Sequence, residues 1–174
     1  MKTTKWRFFH LLPEAKLSEP VYLNVSVQPE DFDTGHELKQ LKAATPQAGA
    51  LVNFVGLVRE ASASGHLSEM VIEHYPGMTE KALQKIALQA TERWPLLGVR
   101  MIHRVGTLTA QSQIVLVATT SLHRQAAFEA CAFMMDYLKT EAPFWKKEIG
   151  DFGEHWVEAR ASDEQAKQQW KQPK

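Results

Sequence analysis

The sequence has one cysteine, no net charge and no long apolar run, and each of these absences excludes a class of protein. Cys131, as the only cysteine, rules out an internal disulfide and any metal site built from several cysteines. Twenty Lys and Arg residues balance twenty Asp and Glu residues, so no overall field draws the chain to nucleic acid or to an anionic membrane. An electropositive site must therefore arise from local clustering.

Targeting segments and metal-binding patterns are also missing. No apolar stretch approaches the ~20 residues that a membrane span needs. The start of the chain, up to Pro13, is too short and too interrupted for a signal peptide, so we expect a cytoplasmic protein. The seven histidines include no pair at metal-ligand spacing on one helix face, so we expect no metal.

The composition predicts one ordinary globular domain. With 44% hydrophobic residues in 174 positions, the chain can bury a core of its own. We assign this single domain to residues 21–174. Residues 1–20 include a polar stretch between Pro13 and Pro20 without strand or helix periodicity, which predicts a loosely ordered N-terminal extension.

Apolar periodicity predicts alternating strands and helices. Alternating or β-branched segments indicate strands at 21–27, 49–58, 67–75, 99–107, 113–120 and 155–160. Three- and four-residue spacing indicates helices at 38–43, 79–94 and 121–140, and a short one follows from Ser162. Thr34 and Glu37 have capping-box spacing, and Ser121 is the expected cap of the most apolar helix. This order predicts a sandwich-like α+β fold, with a mixed, mostly antiparallel sheet and flanking helices.

Three lysines cluster near the end of the most apolar predicted helix. Lys139 lies at the helix end, and Lys146 and Lys147 follow Phe144 and Trp145. The pKa of a lysine falls readily beside apolar walls or other cations, so such a cluster can do chemistry. The alternative is a solvated helix end, because cations there complement the helix dipole.

Two other segments supply cations. Gly56 interrupts an apolar strand that Arg59 follows, which either lets another group approach the backbone or marks a β-bulge with a surface arginine. His123 and Arg124 follow a strand end at a helix start, where free N–H groups and the helix dipole favour an anion. The alternative is a capped helix with two solvated side chains, but an arginine at a helix start opposes the dipole.

Other polar residues have structural interpretations. Cys131 falls among apolar helix positions and is expected to be an inert core thiol. His103 and Arg104 are adjacent in a strand and so point to opposite faces, which makes a shared ligand site unfavourable. We interpret both as structural.

These segments together resemble the large, catalytic subunit of molybdopterin synthase, over roughly residues 21–170. The resemblance is carried by ordered motifs: Phe54-Val55-Gly56-Leu57-Val58-Arg59, Glu73-His74-Tyr75-Pro76-Gly77-Met78, His103-Arg104-Val105-Gly106, Ser121-Leu122-His123-Arg124, Met135-Asp136-Tyr137-Leu138-Lys139, Pro143-Phe144-Trp145-Lys146-Lys147-Glu148 and Trp156-Val157-Glu158-Ala159-Arg160. The turn Thr109-Ala110-Gln111-Ser112 lacks the glycine usual in that family, and the loop 60–65 is also atypical. We expect both to be local loop variation.

The resemblance implies a sulfurtransferase of molybdenum cofactor biosynthesis. Such an enzyme converts cyclic pyranopterin monophosphate into molybdopterin. Its sulfur comes from the C-terminal thiocarboxylate of a small ubiquitin-like subunit, so no cofactor is expected. The family also implies a homodimer of large subunits within a heterotetramer that includes two small subunits.

The resemblance also assigns residue roles. Lys139 and Lys146 match the catalytic lysines, and Lys139 is the first choice for proton transfer, or for nucleophilic or electrostatic help at the thiocarboxylate carbonyl. The substrate-binding set is Leu57, Val58, Arg59, His123, Arg124, Lys139, Lys146, Lys147, Glu148 and Arg160, with Leu57 and Val58 acting through the backbone. The candidate channel for the partner's tail is Phe54, Phe144 and Trp145, although Phe144 and Trp145 are equally explained as core residues.

Helix geometry adds a prediction about assembly. Arg124 and Lys139 lie fifteen positions apart on one predicted helix, which corresponds to about 22 Å at ~1.5 Å per residue. A compact pterin phosphate hardly needs both ends of one helix. We therefore expect a site shared across a homodimer, with His123 and Arg124 of one chain facing Lys139 and Lys146 of the other.

Two other functional classes stay open. One is a non-catalytic module that docks a ubiquitin-like partner without turnover. The other is an unrelated anion- or nucleotide-binding protein that uses the helix start at Ser121, although the sequence has no P-loop or dinucleotide fingerprint.

Overall fold

The structure is a computed structural model, and it describes residues 20–62, 65–158 and 161–171. The expected N-terminal extension lies outside the described residues, apart from Pro20. The described strands are β1 (Tyr22–Gln28), β2 (Ala50–Leu57), β3 (Ala61–Ser62), β4 (Gly65–His74), β5 (Leu96–Arg104), β6 (Gly106–Thr109), β7 (Gln113–Ser121), β8 (Phe144–Gly150) and β9 (Gly153–Trp156). The helices are α1 (Thr34–Ala44), α2 (Met78–Arg93), α3 (Arg124–Glu141) and α4 (Ala161–Gln168), followed by a 3₁₀ turn at Gln169–Lys171.

The first sheet has the order β1-β5-β7-β2, and only its β1–β5 pair is parallel. Consecutive residues of β5 enter different cores. Met101 packs with Ile86 of α2 and Phe133 of α3, whereas Ile102 packs with Leu41 of α1. Because helices cover both faces, the central strands are buried at nearly every position rather than at alternate ones.

The second sheet is antiparallel, with β4 lying between β6 and β8, and with β3 and β9 beside β4 and β8. Its inner face buries a smaller cluster of Val58, Leu67, Ile72 and Leu108. The predicted α+β class with mixed, mostly antiparallel pairing is confirmed. The strands are divided between two sheets, which the periodicity did not show.

The strand predicted at 99–107 is divided by a turn. β5 ends at Arg104 and β6 begins at Gly106, so the two halves belong to different sheets. Gly106 has a φ of 88°, a left-handed conformation that a residue with a Cβ adopts only with strain. The turn therefore transfers the chain from the first sheet to the second.

Two helix caps differ from the prediction. Asp33 caps α1 in place of Thr34, since its Oδ1 accepts the His36 N–H at 3.0 Å. His123 is the residue before α3, because Ser121 still belongs to β7 and its hydroxyl donates to the Pro95 carbonyl at 2.9 Å. The predicted strand at 155–160 is shorter, as β9, and ends at Trp156.

Candidate functional site

The structure brings Lys139 and Lys146 together from two different elements. Lys139 lies in the last turn of α3, and Lys146 lies in β8 opposite Ile72 of β4. The pKa of Lys146 is lowered by burial first and by the charge of Lys139 second, while the charge of Asp163 opposes both. A lysine with a lowered pKa is more readily deprotonated near neutral pH, which suits proton transfer or nucleophilic attack.

An uncharged aromatic wall lies beside Lys146. The ring of His103 is buried and stacks on Phe144, with ring centroids 3.7 Å apart and planes 17° apart. The pKa of His103 is lowered to about 3, by burial first and then by the charge of Lys146, with a smaller contribution from His74. Its Nδ1 lies 2.8 Å from the Arg104 carbonyl oxygen, which can only accept, so Nδ1 carries the proton of a neutral ring. The sequence-based interpretation of His103 as a structural residue therefore did not include its position beside Lys146.

Lys139 is half-exposed, and its Nζ lies 3.5 Å from Oδ1 of Asp163. Asp163 belongs to the first turn of α4, a helix that docks on α3. Sequence reasoning missed Asp163 because no motif links it to a lysine 24 positions away. The contact depends on how the C-terminal segment packs.

The alternation of side chains along β8 separates the other predicted residues of this segment. Phe144, Lys146 and Glu148 share the inner face, where Glu148 is buried and lies 3.3 Å from His155 Nε2. Trp145 and Lys147 point to the opposite face. There Lys147 pairs with Glu154 at 2.9 Å and lies over the Trp156 ring, while Trp145 is half-exposed. The structure therefore does not bring Lys147 or Trp145 to Lys146.

The end of β2 has an irregular register, as the β-bulge interpretation expects. Pairing with β7 is irregular between Gly56 and Leu57, and a Cβ on Gly56 would lie 2.7 Å from Cγ1 of Val115. The glycine therefore accommodates the Val115 side chain. Val58 is buried, its N–H donates to Ser112 O at 2.9 Å, and its carbonyl accepts from Gln111 N–H at 2.8 Å. These backbone groups bind the β6–β7 turn, whereas Leu57 and Arg59 are exposed.

His123 and Arg124 lie at the start of α3, which has no side-chain cap and no acidic residue in its first turn. Both side chains are exposed and line a surface depression of about 510 Å³, together with Gln125, Phe128 and Glu129. Uncapped N–H groups with an adjacent arginine are suited to an anion such as a phosphate.

Two cationic regions lie at opposite ends of the chain's first sheet. α3 runs back along β7, since Thr119 donates to the Ala127 carbonyl and Cys131 contacts the Val117 carbonyl. Lys139 therefore lies about 22 Å from Arg124 along the helix. Arg59 leaves β2 at the end where Leu57 pairs with Gln113, which is the Lys139 end. Within one chain, His123 and Arg124 thus lie far from Lys139 and Lys146.

The remaining predicted residues are placed as follows. Phe54 is half-exposed on β2, an edge strand of the first sheet. Cys131 is buried, and burial raises the pKa of its thiol to about 11, in agreement with an inert core residue. Arg160 lies outside the described residues.

The described part of the chain shows neither a metal cluster nor a membrane span. In residues 20–62, 65–158 and 161–171, no three His, Cys, Asp or Glu side chains gather in a way that could hold a metal ion. Over the same ranges, no helix has the length and apolar character to cross a bilayer. The absence of a metal stays a prediction.

Comparison with known proteins gives consistent relatives. Residues 27–141 match the family model for the MoaE protein. A "Molybdopterin synthase catalytic subunit" from Ralstonia nicotianae is 53% identical over 146 residues, covering 84% of this chain and 83% of the relative. A solved MoaE protein from Burkholderia ambifaria is 51% identical, with a TM-score of 0.74 over 85% of this chain and 97% of that one. A complex of subunits 1 and 2 of molybdopterin-converting factor from Helicobacter pylori shares the fold, with a TM-score of 0.63 and 21% identity over 79% of this chain and 91% of that one.

Proposed function

Because the chain belongs to the MoaE protein family, we propose that it converts cyclic pyranopterin monophosphate into molybdopterin. The sulfur donor in this proposal is the C-terminal thiocarboxylate of a small ubiquitin-like subunit, and no cofactor is needed. The chain is an enzyme of molybdenum cofactor biosynthesis, since relatives about half identical over most of its length carry the name of the synthase's catalytic subunit.

The observation that carries the proposal is the pairing of the half-buried Lys146 with the half-exposed Lys139. Burial and the charge of Lys139 lower the pKa of Lys146, so its amine can accept a proton. The ammonium of Lys139 can stabilise negative charge that develops on the carbonyl oxygen. We assign the first role to Lys146 and the second to Lys139, whereas the sequence made Lys139 the first choice for proton transfer.

The substrate's phosphate is assigned to the helix start. His123 and Arg124 supply a hydrogen-bond donor and a bidentate cation beside uncapped N–H groups. Since these residues lie about 22 Å from Lys139 along α3, we propose that a second copy of the chain supplies them. The exposed Leu122 and Phe128 beside them are apolar surface that a homodimer would cover.

The partner's tail needs a path to Lys146. Of the three residues predicted to line the channel, only Phe144 shares the β8 face of Lys146. We therefore propose a tail path along Phe144. Trp145, on the outer face, is assigned to the rim that contacts the body of the small subunit. The proposed assembly is a heterotetramer of two large and two small subunits.

One assay tests the proposal. The purified chain is mixed with the thiocarboxylated small subunit and the cyclic pyranopterin monophosphate, and the dithiolene product is measured. We expect product, and we expect Lys146→Ala to bind the small subunit without forming it. Binding by the unaltered chain without product would favour a non-catalytic docking module. Neither binding nor product would favour an unrelated anion-binding protein.

A further inference from the structure

A carboxylate from the C-terminal segment lies beside the lysine pair. Asp163 stands in the first turn of α4, with its Oδ1 3.5 Å from Nζ of Lys139 and a side chain that is 27% exposed. Its charge also acts on Lys146, in the direction opposite to that of Lys139. One carboxylate therefore interacts with both lysines.

The segment that carries Asp163 is fixed by contacts that do not involve Asp163 itself. Lys167 pairs with Glu141 of α3 at 2.8 Å, and Trp170 Nε1 donates to Asp136 of α3 at 2.7 Å. The Trp170 ring packs edge-on against Phe133, and Arg93 donates to the Trp170 carbonyl at 2.7 Å. Asp163 is thus held in place by the docking of α4, and we expect its substitution to leave that docking intact.

The other charged groups near Lys146 do not supply the negative charge that opposes the effect of Lys139. From β5, His103 is neutral, and His74 of β4 acts on His103. On the inner face of β8, Glu148 is paired with His155. In the described ranges, the acidic charge that opposes the effect of Lys139 on Lys146 is that of Asp163.

We propose that Asp163 is a positioning residue for the lysine pair, holding the Lys139 ammonium beside Lys146 and occupying the place of an anion until substrate or thiocarboxylate replaces it. This inference rests on the proposed function of the two lysines. An ion pair of 3.5 Å with a half-exposed lysine is weak enough to exchange with an incoming anion. Asp163 and the anionic reactant therefore compete for one ammonium.

The variant Asp163→Asn distinguishes the two effects of the Asp163 carboxylate, which are to hold the Lys139 ammonium and to compete with the anionic reactant for it. Loss of the carboxylate frees Lys139, so we expect kcat to fall several-fold. The Asp163 carboxylate also no longer competes for Lys139, so we expect KM for the anionic precursor to fall. Removal of a nearby negative charge lowers the pKa of Lys146. The pH limb set by the lysine pair then moves to lower pH, whether the neutral or the charged form is active.

Two variants serve as controls. Glu164→Gln removes an equal charge from the next residue of α4, but the charge of Glu164 acts on Lys167. We expect it to keep the unaltered chain's kcat, KM and pH profile. Asp163→Glu retains the carboxylate and is expected to restore the position of the pH limb. A Glu164→Gln profile shifted as far as that of Asp163→Asn would overturn the proposal.

A measurement without turnover keeps this test separate from the proposed function. Acetylation of Lys146 is followed by mass spectrometry over a range of pH in the unaltered chain and in the Asp163→Asn and Glu164→Gln variants. We expect the midpoint of Lys146 labelling to lie at lower pH in Asp163→Asn and to be unchanged in Glu164→Gln. An unchanged midpoint in Asp163→Asn overturns the inference, whereas absent product with a shifted midpoint contradicts only the proposed function.

Discussion

The imidazole of His103 lies flat against the phenyl ring of Phe144, with ring centroids 3.7 Å apart. His103 belongs to β5 of the first sheet and Phe144 to β8 of the second, so the stack joins the two sheets two residues before Lys146. It fixes the strand that carries Lys146 relative to the helix-covered sheet. The environment of Lys146 therefore depends on a ring that must stay neutral.

The stability of the protein should depend on pH through His103. The pKa of His103 is 6.5 in the unfolded chain and about 3 in the folded protein, so between these pH values the unfolded chain binds more protons. The contribution of His103 to the free energy of unfolding is fully present above about pH 6.5. It falls, by up to ~1.4 kcal/mol per pH unit, as pH decreases from there toward 3. We expect His103→Gln to lose this part of the pH dependence, measured by urea unfolding at pH 7.5 and 5.0.

The control for this measurement is His36→Gln, because His36 is exposed on α1. It should show the same pH dependence as the unaltered chain. An equally steep loss of stability at acid pH in His103→Gln would mean that other groups cause the dependence.

Neighbouring lysines of β8 should differ in catalytic effect. Lys146 faces the inner side with Phe144, whereas Lys147 faces outward and pairs with Glu154. We expect Lys146→Ala to reduce product formation by at least about 100-fold, the size of a lost proton-transfer group. Lys147→Ala should cost only a few-fold, as expected for an exposed ion pair. Equal losses in the two variants would contradict the assignment of faces.

The turn between β6 and β7 holds a correctable strain. Gln111 has a φ of 67°, a left-handed conformation that costs a residue with a Cβ roughly 1 kcal/mol. We expect Gln111→Gly to raise the free energy of unfolding by about that amount in urea titrations.

The converse change is Gly106→Ala, at a φ of 88° with no atom within 4 Å of the added Cβ. It should lower stability by about 1 kcal/mol through strain alone, and a neutral result would contradict the explanation.

The sequence predicted the helices and the strands of the first sheet because helical spacing and alternating or β-branched apolar segments are typical of these elements. It missed β8 for a physical reason. In this strand Lys146 and Glu148 point inward while Trp145 is half-exposed outward, which reverses the usual placement of charged and aromatic residues. A strand that carries charged residues on its inner face has lost the pattern that identifies strands.

The candidate site was predictable where its residues are near in sequence. Lys139 and Lys146 lie seven positions apart, and an interrupted helix suffices to suggest their convergence. His103 and Asp163 were not predictable as neighbours of these lysines. Their positions depend on the contact between two sheets and on the docking of α4 through Trp170, neither of which leaves a local signal.

In the proposed homodimer, one pocket is built from the opposite ends of two copies of α3. This arrangement is tested by a heterodimer of one Lys139→Ala chain and one Arg124→Ala chain, purified through two different tags. Such a dimer keeps one site with both intact side chains, so we expect about half the specific activity of the unaltered dimer. A heterodimer no more active than either parent homodimer would contradict the account.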